Sequence, residues 1–237
     1  MVKHAIITGA SRGIGKALAL YFAGQGYSLS LIAKSKDNLV TARTEILELN
    51  SKIDIDIFPV DFAQPEKVEQ TLTQILNVHQ RVDVLVNSAG ILTAGNIDVS
   101  LEALSTLINI NLVSTIQVTN QIAQQMKKQG HGHIFNLGST AGLSPVSKIA
   151  AYSASKAAIA SYTESLYTEM LSCGVQVCCL CPSVVDTDMT NDGRIDNAEK
   201  IEIDDLSKAV DFVMNLSSGA AMAMLPIRCK VIDLEKA

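Results

Sequence analysis

The chain has 237 residues, of which 48% are hydrophobic and 18% are charged, and its formal net charge is −5. This composition supplies enough apolar material for a substantial core and excludes a disordered or coiled-coil chain. The acidic balance, the aromatic share of 4% and the lack of tryptophan argue against nucleic-acid binding, which needs basic surfaces and stacking platforms. The apolar runs are well short of the roughly 20 residues that span a bilayer, so we expect a cytoplasmic protein that binds no membrane.

Short apolar runs alternate with longer amphipathic runs along the whole chain. In chain order the patterns predict a strand at residues 4–7, a helix at 14–24, a strand at 27–33, a helix at 39–49, a strand at 53–60, a helix at 66–78, a strand at 82–86, a helix at 101–127, a strand at 133–137, a helix at 150–171, a strand at 175–181, a helix at 206–216 and a last strand at 227–232. Strands that are nearly continuous in Val, Ile and Leu are typical of a parallel sheet covered by helices on both faces. The predicted fold class is therefore α/β, with a doubly wound parallel sheet.

No linker, shift in composition or internal repeat interrupts this alternation, so residues 1–237 are predicted to form a single domain. The least regular stretch, residues 184–205, is polar and acidic and follows a predicted strand. In folds of this class, ligands bind beyond the carboxyl ends of the strands. We therefore expect residues 184–205 to form the substrate loop.

Five cysteines, an odd number in a chain of this size, do not predict a disulfide framework. Cys178, Cys179 and Cys181 lie in a β-like run, in which neighbouring side chains point to opposite faces and cannot converge on one metal ion. We therefore expect buried cysteines that behave as small hydrophobic residues, and no metal site. The four histidines are dispersed along the chain and show no recognisable ligand spacing.

A glycine-rich turn, Thr8-Gly-Ala-Ser-Arg-Gly-Ile-Gly15, lies between the first predicted strand and the first predicted helix. Glycines allow the backbone to turn sharply and to approach an anion closely, and the free amide groups at the start of a helix attract negative charge. The turn is therefore a candidate phosphate site. The spacing G-x-x-x-G-x-G is a weak signal alone, because the same glycines could serve only to pack the helix against the strand.

Three further motifs follow the turn in order: Asn87-Ser-Ala-Gly90 after the fourth predicted strand, Ser139, and Tyr152-Ser-Ala-Ser-Lys156 on a later helix. Together they resemble the short-chain dehydrogenase/reductase family, whose pattern is T-G-x-x-x-G-x-G, N-N-A-G, a Ser and Y-x-x-x-K. The resemblance runs from about residue 3 to residue 189. It implies a Rossmann fold, hydride transfer between a nicotinamide cofactor and a small carbonyl or alcohol substrate, and a homodimer or homotetramer.

The end of the second predicted strand bears on the choice of cofactor. An acidic residue there would hold the ribose 2′-hydroxyl of NAD, but the position is occupied by Lys34. Lys34 and Arg12 can both offer positive charge to a 2′-phosphate, which favours NADP(H), and the resemblance implies the same preference. The alternative is that both side chains only solvate loop surfaces.

The resemblance also implies a set of cofactor contacts, with Asp61 and Phe62 near the adenine, Val185 near the nicotinamide carboxamide and Thr187 near the pyrophosphate. The full set is Gly9, Ser11, Arg12, Gly13, Ile14, Gly15, Lys34, Asp61, Phe62, Asn87, Ala89, Gly90, Tyr152, Lys156, Pro182, Val185 and Thr187. Two positions depart from the family pattern: Ser88 replaces the second Asn of N-N-A-G, and Ser183 replaces the Gly of P-G-x-V-x-T. If the backbone at Ser183 approaches the cofactor closely, the space between them must accommodate the Cβ of the serine.

Tyr152 and Lys156 are four residues apart, so on a helix their side chains share one face. A phenol with a pKa of about 10 is a poor acid near neutrality unless a cation such as Lys156 stabilises its phenolate. The resemblance implies that Tyr152 donates the proton to the substrate, that Ser139 positions the carbonyl oxygen and that Lys156 also binds the nicotinamide ribose. It further implies that Asn111 holds a water near the lysine; Asn109 competes for this role, but Asn111 fits better because the family Asn is followed by Leu.

The substrate is less well indicated. The N-terminal part of the chain resembles bacterial 3-oxoacyl-carrier-protein reductases, but the C-terminus lacks their D-G-G pattern. The preferred hypothesis is therefore a general ketone or aldehyde reductase. The alternatives are a 3-oxoacyl-carrier-protein reductase and a non-catalytic NADP-binding sensor, since fold does not imply function. The candidate substrate loops, residues 139–147 and 184–205, contain no Phe or Trp, which predicts an aliphatic and polar pocket.

Overall fold

Seven parallel strands form one sheet in the computed structural model, which describes residues 2–235. The strands are β1 His4–Thr8, β2 Ser28–Ala33, β3 Ile55–Pro59, β4 Val84–Asn87, β5 Gly132–Leu137, β6 Val175–Pro182 and β7 Met224–Ile227. Their order across the sheet is β3-β2-β1-β4-β5-β6-β7. The direction of winding reverses between β1 and β4, and in such sheets the ligand crevice opens at this reversal.

Helices cover both faces of the sheet. They are α1 Gly13–Gly24, α2 Lys36–Leu49, α3 Pro65–Val78, α4 Leu101–Ile108, α5 Ser114–Gln129, α6 Thr140–Leu143, α7 Ala150–Met170, α8 Ile203–Met214 and α9 Lys230–Leu234. Strand residues alternate between the two layers: Ile6 belongs to the apolar cluster on the face covered by α3 and α5, whereas Ile7 belongs to the cluster on the face covered by α1. Both are fully buried. The predicted doubly wound α/β domain is therefore confirmed.

The predicted last strand is wrong. The pattern placed it at residues 227–232, whereas β7 ends at Ile227 and α9 follows at Lys230–Leu234. The strand lies earlier because its residues pair in parallel with β6, ending in the pair Pro182 and Ile227. Pro226 is compatible with this strand because β7 lies at the edge of the sheet.

The C-terminal helix packs on the segment after β6. Val231 and Ile232 of α9 contact an apolar cluster that contains Val185, Ile201 and Leu206. Adjacent apolar residues can contact one cluster on a helix, whereas on a strand they would point to opposite faces. The contact with this cluster therefore explains why the apolar pair forms a helical turn rather than the predicted strand.

The long helix predicted at residues 101–127 contains a π-helical turn. Asn109–Val113 adopt this wider winding between α4 and α5, and single π turns are often found at functional sites. By length and composition alone the continuous stretch Leu101–Gln129 could cross a membrane. Its residues Val118, Ile122 and Met126, however, are fully buried in the core of the domain.

Candidate active site

The glycine-rich turn connects β1 to α1 at the carboxyl edge of the sheet. Gly9 has a φ of +66°, and a Cβ at this position would lie 2.8 Å from the backbone nitrogen of Ala89. The Thr8 hydroxyl oxygen accepts hydrogen bonds of 3.1 Å from the amides of Ser88 and Ala89. The turn is thereby held against the loop after β4, and only glycine fits at residue 9.

The start of α1 is open to an anion. A Cβ at Gly15 would collide with the Gly9 carbonyl, so the helix starts very close to the turn. No side chain caps the first turn of α1, and that turn contains no acidic residue, so its amide groups and positive end face the crevice unneutralised. This cradle fits the pyrophosphate of a dinucleotide.

Both cations predicted to bind a 2′-phosphate are paired with carboxylates. Arg12 Nη1 lies 3.2 Å from Asp188 Oδ2, and Lys34 Nζ lies 2.7 Å from Asp61 Oδ2. The hydrogen bond from Lys34 lowers the pKa of Asp61. Because the Arg12 and Lys34 side chains are 73% and 78% exposed, such pairs contribute only about 0–1 kcal/mol, and a phosphate can replace either carboxylate.

Two of the predicted adenosine contacts turn their side chains into the interior. Asn87 Nδ2 donates hydrogen bonds of 2.9 Å to Thr119 Oγ1 and to Asn136 Oδ1. Phe62 is buried in the core cluster beneath β1 and β4. These two residues can therefore face a cofactor through their backbone but not through their side chains.

Residues after β6 close the crevice from the other side. Thr187 Cγ2 lies 3.6 Å from the position that a Cβ of Gly13 would occupy, so this loop reaches the start of α1. Beside this contact, a cavity of about 340 Å³ lies between the loop and the start of α1. It is lined by Arg12, Gly13, Lys16, Asp186, Thr187, Asp188, Asn191, Asn197 and Ile203. Ser183 lies outside the positive-φ region and its amide donates to Ile227 O at 2.8 Å, so the backbone here does not require glycine.

The predicted catalytic residues come together at the same edge. Ser139 lies two residues beyond the end of β5, at the start of α6, and Tyr152 and Lys156 lie on α7. Lys156 Nζ is 5.8 Å from the centroid of the Tyr152 ring and donates a hydrogen bond of 2.7 Å to Leu137 O. Burial raises the pKa of the Tyr152 phenol, while a hydrogen bond with the Ser139 side chain acts in the opposite direction. The three side chains can therefore act on one bound group.

Lys156 is almost completely enclosed, with 6% of its surface exposed. Burial lowers the pKa of Lys156 to about 8, and the neighbouring thiols of Cys179 and Cys181 partly oppose this effect. The positive charge of Lys156 is therefore stabilised by a carbonyl oxygen, an aromatic ring and sulfur atoms.

Asn111 lies in the π-helical turn and faces this lysine. Its Oδ1 accepts from Ile91 N at 2.9 Å and its Nδ2 donates to Ile91 O at 2.8 Å. A Cβ at Gly90 would lie 3.4 Å from Asn111 Oδ1 and 3.6 Å from Lys156 Nζ, so the two side chains border the same space. Asn109 points elsewhere, towards Ala63 O at 3.5 Å.

The sequence patterns do not predict two features of the site. Lys200 is 6% exposed and donates to Thr190 O at 2.9 Å and to Asn197 Oδ1 at 2.7 Å; nothing in its polar, acidic neighbourhood distinguishes it from a surface lysine. The π-helical turn was the other, since its residues read as ordinary helix. Within residues 2–235, no group of three or more His, Cys, Asp or Glu side chains is placed to hold a metal ion.

The sheet order and the glycine turn at its point of reversal define a Rossmann-type α/β protein. The family model described as short chain dehydrogenase matches residues 3–198. An uncharacterised oxidoreductase of Staphylococcus epidermidis is 32% identical over 228 residues, covering 95% of this chain and 96% of the relative. The chain therefore belongs to the short-chain dehydrogenase/reductase family of oxidoreductases, which use a nicotinamide cofactor.

Two solved structures extend the comparison. A β-ketoacyl-[ACP] reductase from Bacteroides thetaiotaomicron is 30% identical with a TM-score of 0.86, covering 99% of this chain and 100% of the other. An alcohol dehydrogenase from the archaeon Thermococcus sibiricus, complexed with 5-hydroxy-NADP, is 26% identical with a TM-score of 0.87, covering 97% of each chain. The similarity thus extends over nearly the whole length of both relatives.

Proposed function

We propose that the protein is an NADP(H)-dependent carbonyl reductase in which Tyr152 donates the proton. The observation that carries the proposal is the meeting of Ser139, Tyr152 and Lys156 beside the open, glycine-lined start of α1. An anion cradle and a proton donor with an adjacent cation are the two parts that a carbonyl reductase requires from its protein.

The cofactor would be held by groups that the site already presents. The amides at the start of α1 bind the pyrophosphate, and Lys156 reaches the nicotinamide ribose. Arg12 and Lys34 bind the 2′-phosphate in exchange for Asp188 and Asp61. Bound NADPH supplies the hydride that reduces the carbonyl carbon.

The chain's own residues handle the oxygen of the substrate. The Tyr152 hydroxyl donates its proton to the carbonyl oxygen, which leaves the product alcohol and a phenolate. The Ser139 hydroxyl donates a hydrogen bond to the same oxygen and orients it. The Lys156 ammonium, near the Tyr152 ring, stabilises the phenolate, and Asn111, which borders the same space as the ammonium, holds a water near it.

The substrate pocket is proposed to lie between residues 139–147 and the loop at 184–205. Leu143, Val146 and Met189 expose 42%, 42% and 47% of their surface there, and their aliphatic side chains favour a small, weakly polar ketone or aldehyde. The likeness to the β-ketoacyl-[ACP] reductase favours one second candidate, the reduction of a 3-oxoacyl thioester. The family is generally oligomeric, and we expect a homodimer or homotetramer, which light scattering on the purified protein would test.

A substrate panel tests the proposal. Ketones, aldehydes and one 3-oxoacyl thioester are incubated with the protein, and consumption of NADPH or NADH is followed by absorbance. We expect turnover of at least one simple carbonyl, with kcat/KM higher for NADPH than for NADH. Equal values or a preference for NADH would refute the cofactor assignment. Binding of NADPH without turnover of any compound would instead indicate a sensor.

A further inference from the structure

Two cysteine thiols lie side by side beneath the proposed active site. Cys179 and Cys181 are two residues apart on β6, so their side chains point to the same face of the sheet, and their Sγ atoms are 3.5 Å apart. Both are free thiols with no exposed surface. Cys178, which immediately precedes Cys179 on the strand, packs in the core on the opposite face.

The thiol pair is packed against the residues proposed to act on the substrate. A Cβ at Gly138 would lie 2.7 Å from Cys179 Sγ and 2.8 Å from Cys181 Sγ, so the sulfur atoms fill the space of the missing side chain just before Ser139. On the other side, both thiols interact electrostatically with the ammonium of Lys156. A change at the sulfur atoms would therefore reach both Ser139 and Lys156.

We propose that Cys179 and Cys181 form an oxidisable dithiol, a modification site at which a peroxide closes an intrachain disulfide and reversibly inactivates the enzyme. The Cys179 thiol releases its proton, and the thiolate attacks one oxygen of the peroxide and breaks the O–O bond. The products are a sulfenic acid and a hydroxide, which takes up the released proton to give one water. The Cys181 thiol then displaces the hydroxyl group from that sulfur as a second water, and the S–S bond forms. Two thiols are oxidised and one peroxide is reduced to two waters.

The thiolate needed for the first step is favoured at this position. A hydrogen bond from Cys181 and the charge of Lys156 lower the pKa of Cys179, although burial opposes them. On the other face of the strand, burial raises the pKa of Cys178 to about 12. Because reactivity of cysteine follows its thiolate character, Cys179 is the thiol that reacts first.

The strand geometry allows the disulfide but does not favour it. Residues two apart on a strand are separated by about 6.6–6.8 Å, at the long end of the roughly 4.4–6.8 Å that disulfides span. Closing the bond therefore distorts β6 and draws the sulfur atoms away from Gly138. Distorted disulfides are the more easily reduced ones, so a thiol reductant should restore the dithiol.

Loss of activity rests on the proposed function, whereas formation of the disulfide does not. In the oxidised protein, Lys156 loses its interaction with the two thiols, and the backbone before Ser139 loses the packing that fixes it. We expect at least a tenfold decrease in kcat with little change in the affinity for NADPH.

Hydrogen peroxide, which is small enough to reach a buried site through local opening, is the oxidant in the test. After treatment, free thiols are alkylated and the peptide containing both cysteines is analysed by fragment mass spectrometry. We expect a product two hydrogen atoms lighter, with the bond between Cys179 and Cys181, and recovery of activity with dithiothreitol. Cys181→Ala should resist the reversible loss, and the matched control Cys178→Ala, on the opposite face of the same strand, should remain sensitive.

The outcomes are separable. The proposed dithiol is overturned if both thiols of the oxidised wild-type protein are still alkylated, or if the disulfide joins another cysteine. This result depends neither on the activity of the protein nor on whether Cys181→Ala folds. A correct disulfide that leaves the activity of an active enzyme unchanged overturns the inactivation. If no carbonyl is reduced at all, the proposed function fails while the mass spectrum still decides the dithiol.

Discussion

Lys156 carries its charge where burial opposes it. Among the described residues, no carboxylate lies within ion-pair distance of its Nζ, and the nearest acceptor is Leu137 O at 2.7 Å. A neighbouring carboxylate would stabilise the ammonium but would also repel the Tyr152 phenolate. A cation with neutral partners keeps its attraction for the phenolate, at the cost of a lowered pKa.

The lowered pKa of Lys156 predicts the pH dependence of the reduction. The proposed reaction requires a charged lysine and a neutral tyrosine. Because burial lowers the pKa of Lys156 from 10.5 to about 8 and raises that of Tyr152, the lysine loses its proton first. We expect kcat/KM to be level below about pH 8 and to fall by up to about tenfold per pH unit above it.

Steady-state kinetics across the range from about pH 6 to about pH 10 would measure this break. The variant Lys34→Met is the control, because the exposed Lys34 is proposed to bind the 2′-phosphate. Its loss should change the affinity for NADPH without moving the break. A wild-type profile that stays level beyond pH 9.5 would contradict the account of Lys156.

At the scale of elements, the loop at residues 184–205, which is proposed to border the substrate, is fixed at its base. Val185 and Ile201 form an isolated parallel bridge, with hydrogen bonds from Ile201 N to Val184 O at 3.0 Å and from Asp186 N to Ile201 O at 2.9 Å. Beside the bridge, the buried Lys200 binds Thr190 O and Asn197 Oδ1 from inside the loop. The loop is thereby divided into a fixed base and an exposed tip.

Replacing Lys200 by Met should loosen the tip. Loss of the ammonium removes its hydrogen bonds to Thr190 O and Asn197 Oδ1, and a typical hydrogen bond contributes about 0.5–1.5 kcal/mol. We expect cleavage after the exposed Arg194 by an arginine-specific protease to accelerate by roughly fivefold or more, as measured by a time course with mass spectrometry.

The matched control for this experiment is Lys208→Met. Lys208 is 65% exposed and pairs with Asp204 and Asp205 on the surface of α8, so its loss should leave the cleavage rate unchanged. Equal rates in the Lys200 and Lys208 variants would show that Lys200 does not hold the loop.

On the scale of the whole molecule, the fold gathers the histidines at the end of the sheet opposite the proposed active site. The His4 ring stacks on the His79 ring with centroids 4.0 Å apart and bonds the hydroxyls of Ser28 and Ser30 at 2.9 Å and 3.0 Å. His131 lies 4.0 Å from Asp83, whose carboxylate also accepts from the His4 amide. These residues are far apart in sequence, so their dispersal along the chain did not indicate a cluster.

The buried His4 predicts acid sensitivity of the whole domain. Burial lowers the pKa of His4 from 6.5 to about 4, so the unfolded chain binds this proton more readily than the folded one. Stability from His4 is therefore complete above pH 6.5 and is lost as the pH falls towards 4. The expected decrease in the free energy of unfolding is about 3 kcal/mol.

Urea unfolding at about pH 7 and about pH 4 would measure this decrease in the free energy of unfolding. The matched pair of variants is His4→Asn and His131→Asn, since His131 is half-exposed. The pH dependence should weaken in the His4 variant and persist in the His131 variant. An unchanged pH dependence in His4→Asn would contradict the prediction.

The sheet and the candidate catalytic residues could be predicted because both rest on local patterns. Buried parallel strands are continuous in apolar residues, and Tyr152 and Lys156 share a helix face by spacing alone. The pairing of Lys34 with Asp61 and of Arg12 with Asp188 depends on distant segments. Tertiary packing, and not local preference, also sets the π-helical turn around Asn111 and the helix that replaces the predicted last strand. Neither could therefore be predicted from the sequence.

The central claim is that Tyr152 donates the proton in an NADPH-dependent reduction, and the variant Tyr152→Phe tests it most directly. Turnover of the best carbonyl substrate and the Kd for NADPH are measured side by side for the variant and the wild type. We expect kcat to fall by at least about a hundredfold while the Kd changes little, because the phenol binds no phosphate. A variant that retains near wild-type kcat would contradict it.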